Sequence, residues 1–456
     1  MAENSGSSII SIEHWSSRLA FVLAASGSAV GLGNIWKFPY ITGQYGGGAF
    51  VIVYLLCVLL VGLPILMAEV VMGRHGGLNP VGTMRRLAKE SGASPAWQVA
   101  GWAGVAAAFL ILSFYSVVGG WALAYVFYAL RGLFSGSDAL QIESIFNSLL
   151  ANPGVLVSWH TAFIAATIFI VAGGVKRGLE RSVSWMMPLL FLLIVFLVLY
   201  SALFSGAFLQ AVDFMFRPDW SKLTWDAVLV ALGHAFFTLS LGMGAMMVYG
   251  HYLQKDVSVP ETVYTVAALD TVIALLAGLA IFPLVFAHGI EPGGGPGLVF
   301  VSLPIAFGSL PLGVLLGTAF FILLTVAALT SAISILEPAV SYITERHGVA
   351  RRTAAIVTGL AAWLLGVACA LSFNLWSEFK IAGRTVFDTL DFLTANVMLP
   401  LGGLAIALFA GWVMMQSATR DEFGDAVKQY KWWRVAVRYV APAAIIIVFL
   451  HSLGIL

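Results

Sequence analysis

The sequence predicts an all-α polytopic membrane protein, and three observations lead there: its composition, its run of long apolar segments, and glycine clusters inside two of them. The chain of 456 residues is 60% hydrophobic and 10% charged, with a mean hydropathy of +0.95. A soluble domain carries about 25% charged residues, so water is not the main solvent of this chain. A net charge of +1 spread through apolar runs offers no basic face for a phosphate backbone, which excludes a nucleic-acid partner. Cys57 and Cys369 both lie in apolar runs and read as small buried residues, so neither a disulfide framework nor a zinc cluster is encoded. Residues 1–14 are polar, with no apolar core before a small-residue cleavage site, and no removable signal peptide is expected.

A bilayer core needs about 20 apolar residues per helix. By that measure eleven spans are expected, at 15–40, 45–73, 96–130, 155–174, 178–204, 227–250, 260–288, 309–344, 353–373, 385–416 and 435–454. An odd number puts the termini on opposite sides. Seventeen of the 23 Lys and Arg fall in segments that are cytoplasmic if the N-terminus is inside, five fall outside, and Lys37 sits at the outer end of span 1. That bias places the N-terminus in the cytoplasm and the C-terminus outside. Gly289 to Phe307, with its Glu291-Pro-Gly-Gly-Gly-Pro-Gly run, reads as a re-entrant outer loop, and no second folding unit is indicated.

Glycine costs roughly 1 kcal/mol inside a helix, and in lipid each freed backbone group needs another partner. Span 1 nevertheless contains Gly27-Ser-Ala-Val-Gly-Leu-Gly-Asn34, and span 6 contains Thr238-Leu-Ser-Leu-Gly-Met-Gly244. Close helix packing is one reading of such a cluster. Two clusters at the start of two five-span units, 15–204 and 227–416, point instead to an inverted 5+5 repeat with unwound helices 1 and 6, 435–454 being an extra helix. Unwinding exposes carbonyls that can hold a bare cation and N–H groups that can hold a carboxylate, a combination suited to a zwitterion travelling with sodium.

At these residues the chain resembles the neurotransmitter:sodium symporter family, from about Glu13 to the end of span 11. The likeness rests on Gly27-Ser-Ala-Val-Gly-Leu-Gly-Asn-Ile-Trp-Lys-Phe-Pro39, Gly46-Gly-Gly-Ala-Phe50, Phe236-Phe-Thr-Leu-Ser-Leu-Gly-Met-Gly244 and Ala327-Ala-Leu-Thr-Ser331. It is strongest toward the bacterial amino-acid branch, the eleven-helix type with a broad hydrophobic range, and so implies a multi-pass protein of the bacterial inner membrane. The resemblance implies two sodium sites. For the first, the matching positions are Ala29, Asn34, Thr238 and Asp270 together with the substrate carboxylate. For the second they are Gly27, Val30, Ala327, Thr330 and Ser331, although Thr330 and Ser331 could instead bond the preceding turn of their own helix. Such oxygen-only ligands suit an alkali cation.

Tyr54, His234, Thr238, Asp270 and Ala274 match the chloride positions of animal relatives. A permanent carboxylate at Asp270 implies that chloride is dispensable. His234, where relatives commonly carry Gln, could protonate or simply hydrogen-bond, and proton exchange through Asp270 or Glu69 stays open. For the substrate, Leu32, Gly33 and Tyr115 match the carboxylate clamp, while Ala29 and Ser240 match positions near the amino group. Ile111, Val118, Phe237, Met243, Ser331 and Ile335 match the side-chain pocket. Narrow aliphatic pockets carry Phe at the Met243 position, and a flexible Met implies room for Trp, Tyr and Phe as well as Leu.

Lys37 and Asp391 match the outer gate pair, with Lys in place of the usual Arg, and a plain surface ion pair is the alternative. Trp15 and Glu345 match an inner plug and an acidic inner gate, but Ile12 stands where relatives often place the partnering Arg. Gly178 and Pro188 match a motif that lets span 5 unwind, a passive kink being the alternative. A channel would want rings of like ligands from repeated subunits. An enzyme is not expected, since neither a zinc-binding His-Glu-x-x-His run nor a nucleophile and base pair is present. A non-transporting amino-acid receptor, or a symporter for another small zwitterion, would keep the same residues. The expected partners are an amino acid, sodium and the lipid bilayer, with monomer and homodimer left open.

Overall fold

The computed structural model describes residues 14–292, 297–452 and 455. Among these, nine helices are long and apolar enough to cross a membrane, and the bent pair Arg18–Ala29 and Gly33–Gln44 makes a tenth span. The remaining expected span, span 6, is divided into Trp225–Thr238 and Ala245–His251, neither of which reaches membrane length alone. Spans 1 and 6 are therefore the two interrupted ones, as the glycine clusters predict.

Helix limits otherwise differ from the expected ones by a few residues, with one larger departure. Span 11 runs Val427–His451, beginning eight residues before its expected start at 435. Its first turns are charged, yet Trp433 is fully buried there and its indole N–H donates to the Pro64 carbonyl at 3.0 Å, which anchors the segment to span 2. The outer loop contains a short apolar helix, Leu298–Ser309. Cys369 is buried but Cys57 is only half-buried, and both are free thiols. Ile12, the position expected to weaken the inner gate, lies outside the described residues.

Spans 3 (Pro95–Leu130) and 8 (Gly313–His347) are the most enclosed and pack along each other, while spans 4, 5 and 11 turn most of their surface outward. Span 2 (Gly48–Gly76) lies along the inner half of span 6, span 4 along span 9, and span 5 along span 7. Breaks 1 and 6 thus face the middle of the long, rigid span 8.

Toward the C-terminal end of span 8, Glu337 is fully buried. Arg351 of span 9 grips it with two bonds of 2.8 and 2.6 Å, and the Tyr252 hydroxyl donates to it at 2.9 Å. Removing one member of such a pair leaves a buried charge without a partner. Arg351→Ala is therefore expected to destabilise the protein by about 3–5 kcal/mol, read as a lower thermal midpoint in detergent, and Glu337→Gln in the same background should recover part of the loss.

Candidate functional site

Helix 1 ends at Ala29, and Val30 turns the chain to extended geometry with ψ 102°. Glycine is required just beyond. A Cβ on Gly31 would lie 2.2 Å from the Ser331 hydroxyl and 2.7 Å from that of Tyr115. In span 6, Ser240, Gly242 and Gly244 all have positive φ, 54°, 76° and 77°. Left-handed geometry costs a non-glycine residue about 1 kcal/mol. Ser240 offsets it by donating from its hydroxyl to the Ser28 carbonyl at 3.0 Å, which ties the two breaks together. The Ser28 hydroxyl in turn donates to Ser334 of span 8 at 2.7 Å.

The freed amide of Gly242 finds an acid. Its N–H donates to Glu69 Oε1 at 2.7 Å, and Glu69 is fully buried in span 2. Motif matching offered Glu69 only as a possible proton carrier and missed its role as the cap of the broken helix. The available signal was a lone carboxylate within a span, which needs a polar partner in an apolar medium.

The positions matched to the first ion site converge. The Asn34 side chain donates to Asp270 Oδ1 at 2.8 Å, and its own oxygen accepts from Gly31 N–H at 3.1 Å. The Thr238 hydroxyl lies 2.9 Å from Asp270 Oδ1 and 3.2 Å from Asn34 Oδ1. Asp270 is fully buried; its Oδ2 forms no hydrogen bond of normal geometry and has the Tyr54 hydroxyl as a near neighbour. His234 packs against both Phe38 and Tyr54, with ring centroids 6.0 and 5.2 Å away, and neither of its nitrogens has a hydrogen-bond partner among the described residues.

The positions matched to the second ion site separate the two hydroxyls. Thr330 donates within its own helix, to the Ala327 carbonyl at 2.9 Å, as the local alternative predicts. Ser331 instead reaches span 1, its Oγ lying 3.4, 3.1 and 3.4 Å from the carbonyls of Gly27, Ser28 and Val30. Four oxygens, the Ser331 hydroxyl and three span 1 carbonyls, meet there, and oxygen donors suit a hard cation. Among the described residues no cluster of three or more His, Cys, Asp or Glu could hold a metal of another kind.

Between the breaks lies a tight cavity of about 10 Å³. Nine of the eleven expected substrate contacts line it: Ala29, Gly33, Ile111, Tyr115 and Phe237 on one part, Ser240, Met243, Ser331 and Ile335 on the other. Val118 does not; it is buried in span 3 but off the cavity, because the wall is made one helical turn away by Tyr115 and Ile111. Leu32 is also absent from the lining, though its N–H donates to the Tyr115 hydroxyl at 3.2 Å at the cavity's edge. Ser28 and Gly31 were missed and do line it.

Above the cavity, Lys37 lies 3.7 Å from Asp391 and 5.0 Å over the Phe237 ring. Below it, Trp15 is fully buried, its indole donating to the Tyr249 carbonyl at 3.2 Å. Glu345 accepts from the backbone and side-chain N–H of Asn79 at 2.7 and 2.8 Å. Gly178 lies in a π-helical turn, Val175–Glu180, that opens span 5, and the helix Arg181–Phe204 continues through Pro188 without unwinding. Both ends of the path are closed.

Comparison with known proteins decides the family. The family model described as the sodium:neurotransmitter symporter family matches residues 12–135 and 133–455. The chain belongs to the sodium:neurotransmitter symporter family. Among its relatives, an uncharacterized sodium-dependent transporter, YhdH, of Bacillus subtilis is 41% identical over 97% of this chain and 98% of its own length. A second sodium-dependent transporter, from Haemophilus influenzae, is 34% identical over 96% of this chain and 98% of its own. The crystal structure of MhsT in complex with L-phenylalanine is 48% identical and superposes with a TM-score of 0.90, over 97% of this chain and 100% of that one. This symporter is therefore sodium-dependent and multi-spanning, with the all-helical fold of that structure.

The Glu69 cap gives a test. Glu69→Leu leaves the Gly242 N–H buried and unpaired, a loss of about 1–3 kcal/mol, and should abolish sodium-dependent ligand binding. Glu69→Gln keeps an acceptor oxygen and should retain most of it, as isothermal calorimetry in detergent would show.

Proposed function

We propose that this symporter imports hydrophobic and aromatic L-amino acids of the Trp, Tyr, Phe and Leu class by alternating access, driven by two sodium ions and without a need for chloride. The observation that carries the substrate class is the cavity itself: Ile111, Phe237, Met243 and Ile335 form an apolar wall facing the polar breaks of spans 1 and 6. The structure of MhsT, 48% identical, holds L-phenylalanine. The carboxylate would meet the Leu32 and Gly33 amides and the Tyr115 hydroxyl, and the amino group would meet the carbonyls of the breaks with Ser240.

Sodium at the first site would be held by Ala29, Asn34, Thr238 and Asp270, sharing the substrate carboxylate so that ion and substrate bind together. At the second it would be held by Gly27, Val30, Ala327, Thr330 and Ser331. Asp270 supplies a fixed negative charge beside Tyr54 and His234, which removes the need for a mobile anion there. Outward-open loading would be followed by closure of Lys37 over Asp391, then by release of Trp15 from span 6 and of the first turns of span 5 near Gly178 and Pro188. The two five-helix repeats, 15–204 and 227–416, would rock about the central site.

In liposomes, an inward sodium gradient should drive saturable uptake of labelled Trp and Leu, undiminished when gluconate replaces chloride. Potassium in place of sodium should abolish it, as should Asp270→Ala. Binding without flux would identify a receptor instead. Met243→Phe fills the cavity and should lower Trp uptake about tenfold relative to Leu, a loss of the size expected for one large side chain in an apolar pocket. Equal retention of both substrates would show that Met243 does not set the pocket.

A further inference from the structure

Span 11 carries a row of cations into the membrane. Lys431, Arg434 and Arg438 follow one another at spacings of three and four residues, and so lie on one face of the helix Val427–His451. Arg438 is near the middle of that helix, about 16 Å from its first residue at 1.5 Å per residue. A guanidinium at such a depth is costly unless something pairs with it. The ion pairs of arginine among the described residues are those of Arg18, Arg74, Arg86, Arg217 and Arg351. Arg434 and Arg438 therefore have no carboxylate there, and each lies within reach of the other's like charge. In the preceding loop Glu422 is taken by Arg74 and His75, and Asp421 and Asp425 pair with neither arginine.

The end of span 10 (Val386–Val413) builds a clamp around this charge. Gly411 lets the two helices touch, since a Cβ there would lie 3.0 Å from Arg438 Cγ and 3.2 Å from its Cα. The next residue, Trp412, lays its ring 4.2 Å from the guanidinium carbon and donates its indole N–H to the Arg438 carbonyl at 3.1 Å. The Tyr439 ring stands edge-on to Trp412 at 5.4 Å, with its centre 5.9 Å from the same carbon. Arg434 donates to the Ala410 carbonyl at 3.2 Å, so one turn of span 10, Phe409–Val413, receives both arginines. The ring faces attract the cation but leave its N–H donors unanswered. Arg438 Nε is enclosed and has no hydrogen-bond partner among the described residues, while the side chain as a whole is only partly covered. Trp412, Val435 and Tyr439 are 52%, 56% and 54% exposed, so the clamp opens on the outer surface of the helices. Trp and Tyr are the side chains that settle at the level of lipid headgroups.

We propose that Arg434 and Arg438, held against Trp412 and Tyr439, bind the phosphate of an anionic phospholipid in the groove between the end of span 10 and the first half of span 11. A guanidinium offers phosphate oxygens paired donors in one plane, which is what these two arginines lack an acceptor for. The surroundings decide what carries the phosphate. Trp412, Val435 and Tyr439 give an exposed apolar rim on which acyl chains lie, and free phosphate in water has no use for it. A zwitterionic headgroup would bring its own ammonium beside two arginines and the exposed Lys431, whereas a glycerol headgroup brings no cation. Basic sites between membrane helices are suited to anionic lipids for this reason. The bound lipid neutralises the repulsion between the arginines and fastens span 11 to span 10. None of these residues lines the central cavity, so the site is separate from the one that takes the transported solute.

The test uses the full chain, purified in detergent and stripped of lipid. In native mass spectrometry it should retain phosphatidylglycerol about tenfold more strongly than phosphatidylcholine with the same acyl chains. Arg438→Gln should weaken phosphatidylglycerol binding about fivefold, and Arg434→Gln with Arg438→Gln about twenty-fivefold. Arg420→Gln, which removes an exposed cation outside the groove, should leave it unchanged. Inorganic phosphate in large excess should not displace the lipid. On the wild type, a phosphatidylglycerol with a photoreactive group next to its phosphate should label residues 409–415 and 431–439, a result that does not depend on any variant folding. Equal retention of the two lipids, undiminished binding by the double variant, displacement by inorganic phosphate, or labelling confined to other helices overturns the proposal.

Discussion

Every feature of the site depends on how the backbone is satisfied at two breaks in the middle of a membrane. Lipid offers no hydrogen bonds, so an interrupted helix survives only where protein groups replace the missing turn. Here they come from outside the broken spans. Glu69 of span 2 takes the Gly242 N–H, Tyr115 of span 3 takes the Leu32 N–H, and Ser331 of span 8 lies within reach of three carbonyls of span 1. Two of these groups, Tyr115 and Ser331, also line the cavity. Binding and folding therefore share one set of contacts.

That sharing explains how movement could be transmitted. Ser28 and Ser240 bind one break to the other, and Trp15 binds the start of span 1 to the end of span 6, so the interrupted helices are linked at the centre and at one end. Span 8 stands against them along its length, touching through Ser334 at the centre and through Glu337 and Glu345 below. The Lys37–Asp391 ion pair and the buried Trp15 lie at opposite ends of these two spans.

The two ends differ in chemistry. Lys37 carries a compact charge on a flexible stem, which holds Asp391 at 3.7 Å without the fork of a guanidinium. At the other end, a guanidinium is spent on Glu337, while Glu345 is left to amides and an imidazole.

The amino-acid sequence by itself determined the class of protein, the course of its apolar spans, and where two of them break. Hydrophobic length, charge asymmetry and glycine clusters are local properties, and lipid enforces them segment by segment. It also located nine of the cavity's eleven lining residues, because those lie on recognisable motifs. Tertiary structure alone decided which partner each polar group takes. Val118 falls off the cavity because it lies one turn farther along span 3 than Tyr115, Glu69 caps a helix far away in sequence, and Thr330 bonds its own turn while its neighbour Ser331 crosses to span 1. The pairing of Glu345 with His251 joins residues 94 positions apart, and no local pattern encodes it. Hydrogen bonds between spans are set by how the helices pack and rotate, which the hydropathy of any one span leaves free.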